Sequence, residues 1–363
     1  MRRFILVPLA LFFIFSKGYA QDEAREKSEE IFLDYLYEQG PGFSITVIKD
    51  DETVFQENYG LADIESNTSV SSDIKFNMGT LTSQFTAMGV MILKDRGRIN
   101  YSDEISTYLS DLPEYAKHLT IEDLLEESSG LPNFSFQRQR KKYDTPEKVK
   151  GFLHTEDELS FEPGEKDDMN LANAALLTLI IEEVTEDDYS KFVQENIFEP
   201  LSMNNSEVYK GGWFYKIKNK AVGYRANGEG DENTFEAVQD IDGRNYLRGL
   251  TGLYSTSADL QKWLKAWEED IFVEKKTLSK ALRIGFIRGA KEFYGYGWRK
   301  GFNNGKKYLY QGGTGYGNTH IILKFPTENI EVVILSNQQS VFGMRAKAFE
   351  LLNLFSDEEY EVK

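Results

Sequence analysis

Two hydroxyl residues three positions apart, Thr80 and Ser83, open the segment Phe76–Gly97, FNMGTLTSQFTAMGVMILKDRG. Phe85, Met88 and Ile92 follow at helical spacing, which predicts a helix carrying both hydroxyls on one face at its positive end. A serine at the first position and a lysine at the second would make a nucleophile and its proton acceptor. The second position is Ser83 instead, so the helix offers hydroxyls with no base between them. Threonine is also a stiff secondary alcohol, and without a base it is a poor nucleophile at neutral pH. Helix capping by Thr80 and close packing by Ser83 are the structural roles open to the pair.

Positioning such a helix takes a layer of sheet, and the chain supplies strands from both ends. Asp22 to Gly40 is charged and amphipathic, with Ile31, Leu33, Tyr35 and Leu36 on one side, and predicts a surface helix. Gly42 to Lys49 alternates as a strand, Asp50-Asp51 turns, and Thr53 to Tyr59 runs back. In the C-terminal third, Tyr294–Trp298, Lys307–Gln311, Thr319–Phe325 and Glu331–Leu335 read as consecutive antiparallel strands, with a helix over Val341–Phe355 covering one face. The middle is helical. Thr120 caps one helix with Asp123 three residues on, Leu171–Val184 is long and apolar, and Asp188–Phe198 closes at Pro200. Asn219–Tyr246 reads as a polar surface loop. This order predicts an α/β protein of the α+β type: an antiparallel sheet flanked by N- and C-terminal helices, with an all-helical insert. The α/β part is expected over about 21–110 and 250–363 and the helical part over about 111–249, within one domain at 21–363.

Residues 1–20 stand apart. Arg2 and Arg3 precede a mostly apolar run, Phe4–Phe15, and Gly18-Tyr19-Ala20 places small residues at a cleavage site, so a signal peptide cut after Ala20 is expected. That run is too short to span a bilayer, and no later stretch is long and apolar enough; a chain soluble in the periplasm or outside the cell is expected. The sequence has no cysteine, which excludes disulfides, thiolate metal sites and a cysteine nucleophile. Its formal charge of −17, more negative still once Arg2, Arg3 and Lys17 are removed, disfavours nucleic acid and anionic membrane as partners. His118, His154 and His320 are scattered, and no His, Asp or Glu cluster has metal-ligand spacing, so neither metal nor cofactor is expected. Nothing in the pattern specifies an oligomeric state.

Further landmarks follow in order: Tyr59-Gly60-Leu61-Ala62-Asp63, Gln84-Phe85-Thr86-Ala87, Ile121–Pro132, Phe161-Glu162-Pro163-Gly164, Glu195–Leu201, Gly252–Thr256, Tyr294–Trp298 and Val333–Asn337. From Gly60 to Gln338 the chain resembles the serine β-lactamase-like family of class C β-lactamases, DD-peptidases and related esterases. The resemblance implies a penicillin-binding-protein-like fold and three active-site motifs, each altered here. Ser-x-x-Lys falls on Thr80 and Ser83. Tyr-x-Asn falls on Met169 and Leu171, a thioether and an aliphatic chain in place of a phenol and an amide. His-x-Gly or Lys-Thr-Gly falls on Tyr310-Gln311-Gly312, or one residue later on Gln311-Gly312-Gly313; neither supplies histidine or lysine. Gly312-Gly313-Thr314-Gly315 has no following helix or lysine, so it suits a substrate backbone lying along the strand better than a phosphate. Glu127, where relatives often carry histidine, reads as a solvated carboxylate, and His320 as a surface or packing residue.

With all three motifs altered, the expectation is a catalytically inactive family member exported to the cell envelope. Its cleft would hold a small peptide, amide or ester ligand, or an envelope protein. Met169 and Leu171 read as apolar filling of that cleft or as the wall of a binding pocket. The alternative is a working hydrolase of peptide, β-lactam or ester bonds with Thr80 or Ser83 as nucleophile.

Overall fold

The computed structural model describes residues 22–133, 144–210, 215–227, 234–238, 247–284 and 292–362. The expected signal peptide and parts of the 137–159 and 219–246 stretches lie outside them. Among the described residues seven antiparallel strands form the main sheet: β1 (Phe43–Lys49), β2 (Glu52–Tyr59), β3 (Phe293–Gly295), β4 (Trp298–Asn303), β5 (Lys306–Gly315), β6 (Asn318–Phe325) and β7 (Ile330–Ser336). Their spatial order is β3-β4-β5-β6-β7-β1-β2. The N-terminal hairpin thus extends the C-terminal meander, with Phe43 opposite Ser336 and Lys49 opposite Ile330.

Alternation along the strands sorts the two cores. Tyr308, Tyr310, Ile321, Leu323, Val332 and Ile334 point to the outer face, which the C-terminal helix Met344–Asn353 covers through Phe349 and Leu352. Leu309, Ile322, Val333 and Leu335 point inward, to the core shared with the central helix Ser83–Asp95. That helix is buried from Ser83 through Leu93. Phe85 stacks on Trp263 with ring centroids 3.9 Å apart. Gln84 accepts from Trp263 Nε1 at 3.0 Å and donates to Gly297 O at 3.1 Å, and Thr86 donates to Gly249 O at 2.5 Å. Burying a ring such as Phe85 stabilises by roughly 1.5–3 kcal/mol, and the hydrogen bonds fix the helix's roll and depth.

Four local expectations are corrected. Tyr294–Trp298 is not one strand: Tyr296 and Gly297, at φ of 56° and 76°, make a two-residue turn between β3 and β4. The first helix, over 22–32, buries Ala24, Ser28 and Phe32 at four-residue spacing, and Leu33 is 69% exposed. The stretch read as a surface loop contains a hairpin of Gly223–Asn227 with Thr234–Val238. The last helix begins at Met344, after Gly343 at φ 66° interrupts the chain.

Candidate functional site

A 3₁₀ turn, Gly79–Thr82, leads into the central helix and brings Thr80 against β5. Pairing of β4 with β5 ends at Arg299 opposite Tyr310, whereas β6 continues to Asn318 opposite Gly315. Residues 311–315 therefore keep one edge free of strand pairing, and across it Thr80 Oγ1 donates to Gly312 O at 3.3 Å. Thr80 does not cap the helix as expected; no side chain does. Glycine is required on both sides of this approach. A Cβ on Gly313 would lie 2.4 Å from Met78 O, and one on Gly79, at φ 52°, 2.5 Å from Thr314 O.

Strand parity settles which residue of the third motif faces the helix. Tyr310 is on the outer face, where its hydroxyl donates to Glu292 Oε2 at 2.8 Å and accepts from Arg345 at 2.7 Å, away from Thr80. Gln311 is buried on the inner face and donates to the Tyr294 hydroxyl at 3.2 Å. Of the two registers, Gln311-Gly312-Gly313 is the one whose first side chain faces the helix, and Tyr310 faces away from it. The side chain that faces the helix there is a neutral amide.

Ser83 lies behind Thr80. Its hydroxyl donates to Thr80 O at 2.9 Å, and the phenol of Tyr294 lies near it. Burial, with the neighbouring Glu127 carboxyl, pushes that phenol well above its ordinary value, so it stays protonated at neutral pH. Ser83, Tyr294 and Gln311 make a cluster of neutral groups, with Gln311 bonded to Tyr294. It can share hydrogen bonds with Thr80's backbone but cannot take up a proton from Thr80's hydroxyl near neutrality.

Glu127 is not the solvated carboxylate expected. Its φ of 55° turns it inward, and Oε2 accepts from Asn170 N at 2.9 Å and Asn173 Nδ2 at 2.6 Å. Burial outweighs these bonds and pushes the carboxyl up to about 8, so it is largely protonated at pH 7. Asn170 in turn caps the helix Leu171–Thr185 through Ala172 N at 2.9 Å and donates to Leu131 O at 2.5 Å. This network anchors the segment that delivers Met169 and Leu171. Neither Tyr294 nor Glu127 stood out as a site residue in the sequence.

His320 packs beneath the cleft rather than lining it. Its Nε2–H donates to Asn77 O at 2.7 Å and its Nδ1 accepts from Ser336 N at 3.2 Å, which fixes one neutral tautomer. Burial pulls its pKa down to about 4. Thr80, Met169 and Leu171 come together in a cleft of about 780 Å³ whose other walls include Leu250, Thr314 and Val341. Among the described residues no group of His, Asp and Glu is placed to hold a metal, and no helix is long and apolar enough to cross a membrane.

A hydroxyl at the mouth of a buried helix, beside a free strand edge and under a helical layer, is the framework of a serine-hydrolase cleft. A Beta-lactamase family model matches residues 30–355, and the chain belongs to that family. Among curated relatives, Protein flp of Staphylococcus aureus (strain NCTC 8325 / PS 47) is 24% identical over 322 residues, covering 83% of this chain and 60% of that protein. The chain therefore spans less than two thirds of that relative. The octameric penicillin-binding protein homologue from Pyrococcus abyssi aligns with a TM-score of 0.77 and 26% identity, over 93% of this chain and 77% of that one. The D-amino acid amidase from Ochrobactrum anthropi SV3, solved with D-phenylalanine, shares the fold at a TM-score of 0.77 and 20% identity, over 92% and 99% of the two chains.

Proposed function

We propose that this chain is an exported β-lactamase-related protein that binds a small peptide, amide or ester in its cleft without hydrolysing it, as a binding or regulatory component of the cell envelope. In this reading the leader is cut after Ala20 and residues 21–363 act as one domain, its helical part at about 111–249. The observation that carries the proposal is the set of neutral groups behind Thr80: Ser83, at the expected proton-acceptor position, donates to Thr80 O, and the buried Tyr294 phenol beyond it stays protonated. A positioned acid or base contributes roughly 10²–10⁴-fold, and losses within one catalytic unit are non-additive. Met169 and Leu171, at the positions of the motif's phenol and amide, give the cleft an apolar wall suited to holding a ligand group. The D-phenylalanine bound to the amidase relative supports a ligand of amino-acid size.

The test is thermal melting of the full chain with envelope-derived peptides, amides and esters, followed by recovery of the ligand. A raised Tm with the ligand intact is expected. Time-dependent consumption that disappears in Thr80→Ala or Ser83→Ala would replace this reading with the hydrolase, and no shift with any ligand would leave only a partner protein for the cleft.

A further inference from the structure

We infer that the cleft selects an uncharged ligand, an amide or ester bearing an apolar group, and rejects the corresponding free carboxylic acid; this rests on the binding reading above. The apolar side of the lining comes from Met169, Leu171, Leu250 and Val341, and the polar side from hydroxyls and an amide such as Thr80, Thr319 and Asn318. No charged side chain is among its described lining residues. The chain is 28% Asp, Glu, Lys and Arg, and three other cavities, of about 530, 320 and 260 Å³, each carry five or more charged side chains. Of these four cavities, the one of about 780 Å³ is neutral among its described lining residues.

The chemistry of recognition follows from that lining. Gln311 supplies an amide in the motif position, hydrogen-bonded to Tyr294, and Arg299, whose guanidinium lies 5.0 Å from the Tyr294 ring centre, is outside the lining. A carboxylate entering the cleft would give up water without gaining a counter-ion from the described lining, in the field of a chain whose formal charge is −17. A neutral amide or ester avoids that cost. Gly312 turns its carbonyl out of the free edge toward Thr80, while the Thr314 backbone on that side lies against Gly79. The Gly312 carbonyl and the Thr80 hydroxyl offer an acceptor and a donor to a neutral amide, with its apolar group against Met169 and Leu171.

Calorimetric titration of the full chain with paired probes at neutral pH tests this: N-acetyl-D-phenylalanine and its amide, and acetylated D-alanyl-D-alanine and its amide. For whichever pair binds, the amide is expected to be at least about tenfold tighter than the acid. Equal affinity, or a tighter acid, overturns the inference while leaving the binding reading in place. No heat and no melting shift with any of the four overturns both. Met169→Lys places a cation at a position already 38% exposed, so it should fold. It is expected to close the gap between acid and amide by about tenfold. An unchanged ratio in that variant would mean the discrimination is not made in this cleft.

Discussion

Asn337, under the cleft, and Thr80, at its mouth, are bonded very differently. Asn337 is fully buried; its Oδ1 accepts from Gly42 N at 2.7 Å, and its Nδ2 reaches Leu61 O, Ala62 O and Val222 O at 3.0, 3.2 and 2.8 Å. Through one amide it ties β7's end to the first hairpin and to the helical part. The Thr80 hydroxyl has a single bond of 3.3 Å. The same contrast separates the side chains of Gln84 and His320, each hydrogen-bonded at both ends, from the apolar side chains of Met169 and Leu171 in the cleft's lining. The cleft's shape is therefore held by groups that do no chemistry, and the positions that would do chemistry bear little of the framework.

The strongest way to break this separation is to put the chemistry back. A chain carrying Thr80→Ser, Ser83→Lys, Met169→Tyr and Leu171→Asn together is expected to react with an acylating β-lactam at least roughly 100-fold faster than the parent, read as the rate of mass gain. No gain in a variant that melts like the parent would mean the framework does not hold the reactive geometry. Next in size is Asn337→Ala, which leaves several buried backbone groups without partners. It should lose about 3 kcal/mol or more in urea unfolding, and a loss below about 1 kcal/mol would contradict the framework role.

Two buried titrating groups sharpen the comparison. The Glu127 carboxyl is raised from 4.5 to about 8, so the native state holds a proton the unfolded chain has released, and stability should fall as pH rises from 4.5 to 8. Glu127→Gln is expected to remove that slope, a difference on the order of a few kcal/mol by pH 8. His320 has the opposite sign. Its pKa is lowered from 6.5 to about 4, the unfolded chain takes up the proton first, and stability should fall as pH drops from 6.5 toward 4. His320→Gln should flatten this limb, whatever its effect on absolute stability. The smallest effect expected is that of Thr80→Ala, within about 0.5 kcal/mol of the parent in stability. A larger loss would make Thr80 part of the framework.

Much of this architecture was legible because hydrophobic period and turn residues act locally: the antiparallel meander, the first hairpin and the helix at Leu171 follow from them directly. The third motif was not fixed in register, because Gly312-Gly313 carries no side chain to mark a face. The flanking alternation of Tyr308, Leu309, Tyr310 and Gln311 held the signal that Tyr310 faces outward. Tyr296 misled because a bulky residue at positive φ in a two-residue turn is uncommon, and its ring's place in the core overrides the local preference. Glu127 was misjudged for a different reason. Its burial depends on Asn170 and Asn173, which are more than forty residues away in sequence, and the flanking Glu126 gives a solvated appearance. Tertiary partners, not local pattern, decided the site's electrostatics.

The central claim, that Thr80 and Ser83 are unreactive in an intact cleft, is tested most directly by intact mass. The parent chain and a Thr80→Ala/Ser83→Ala double variant would be incubated side by side with a fluorophosphonate and an acylating β-lactam. The account predicts no adduct on either chain. An adduct on the parent that is missing from the double variant would contradict it and establish a live nucleophile.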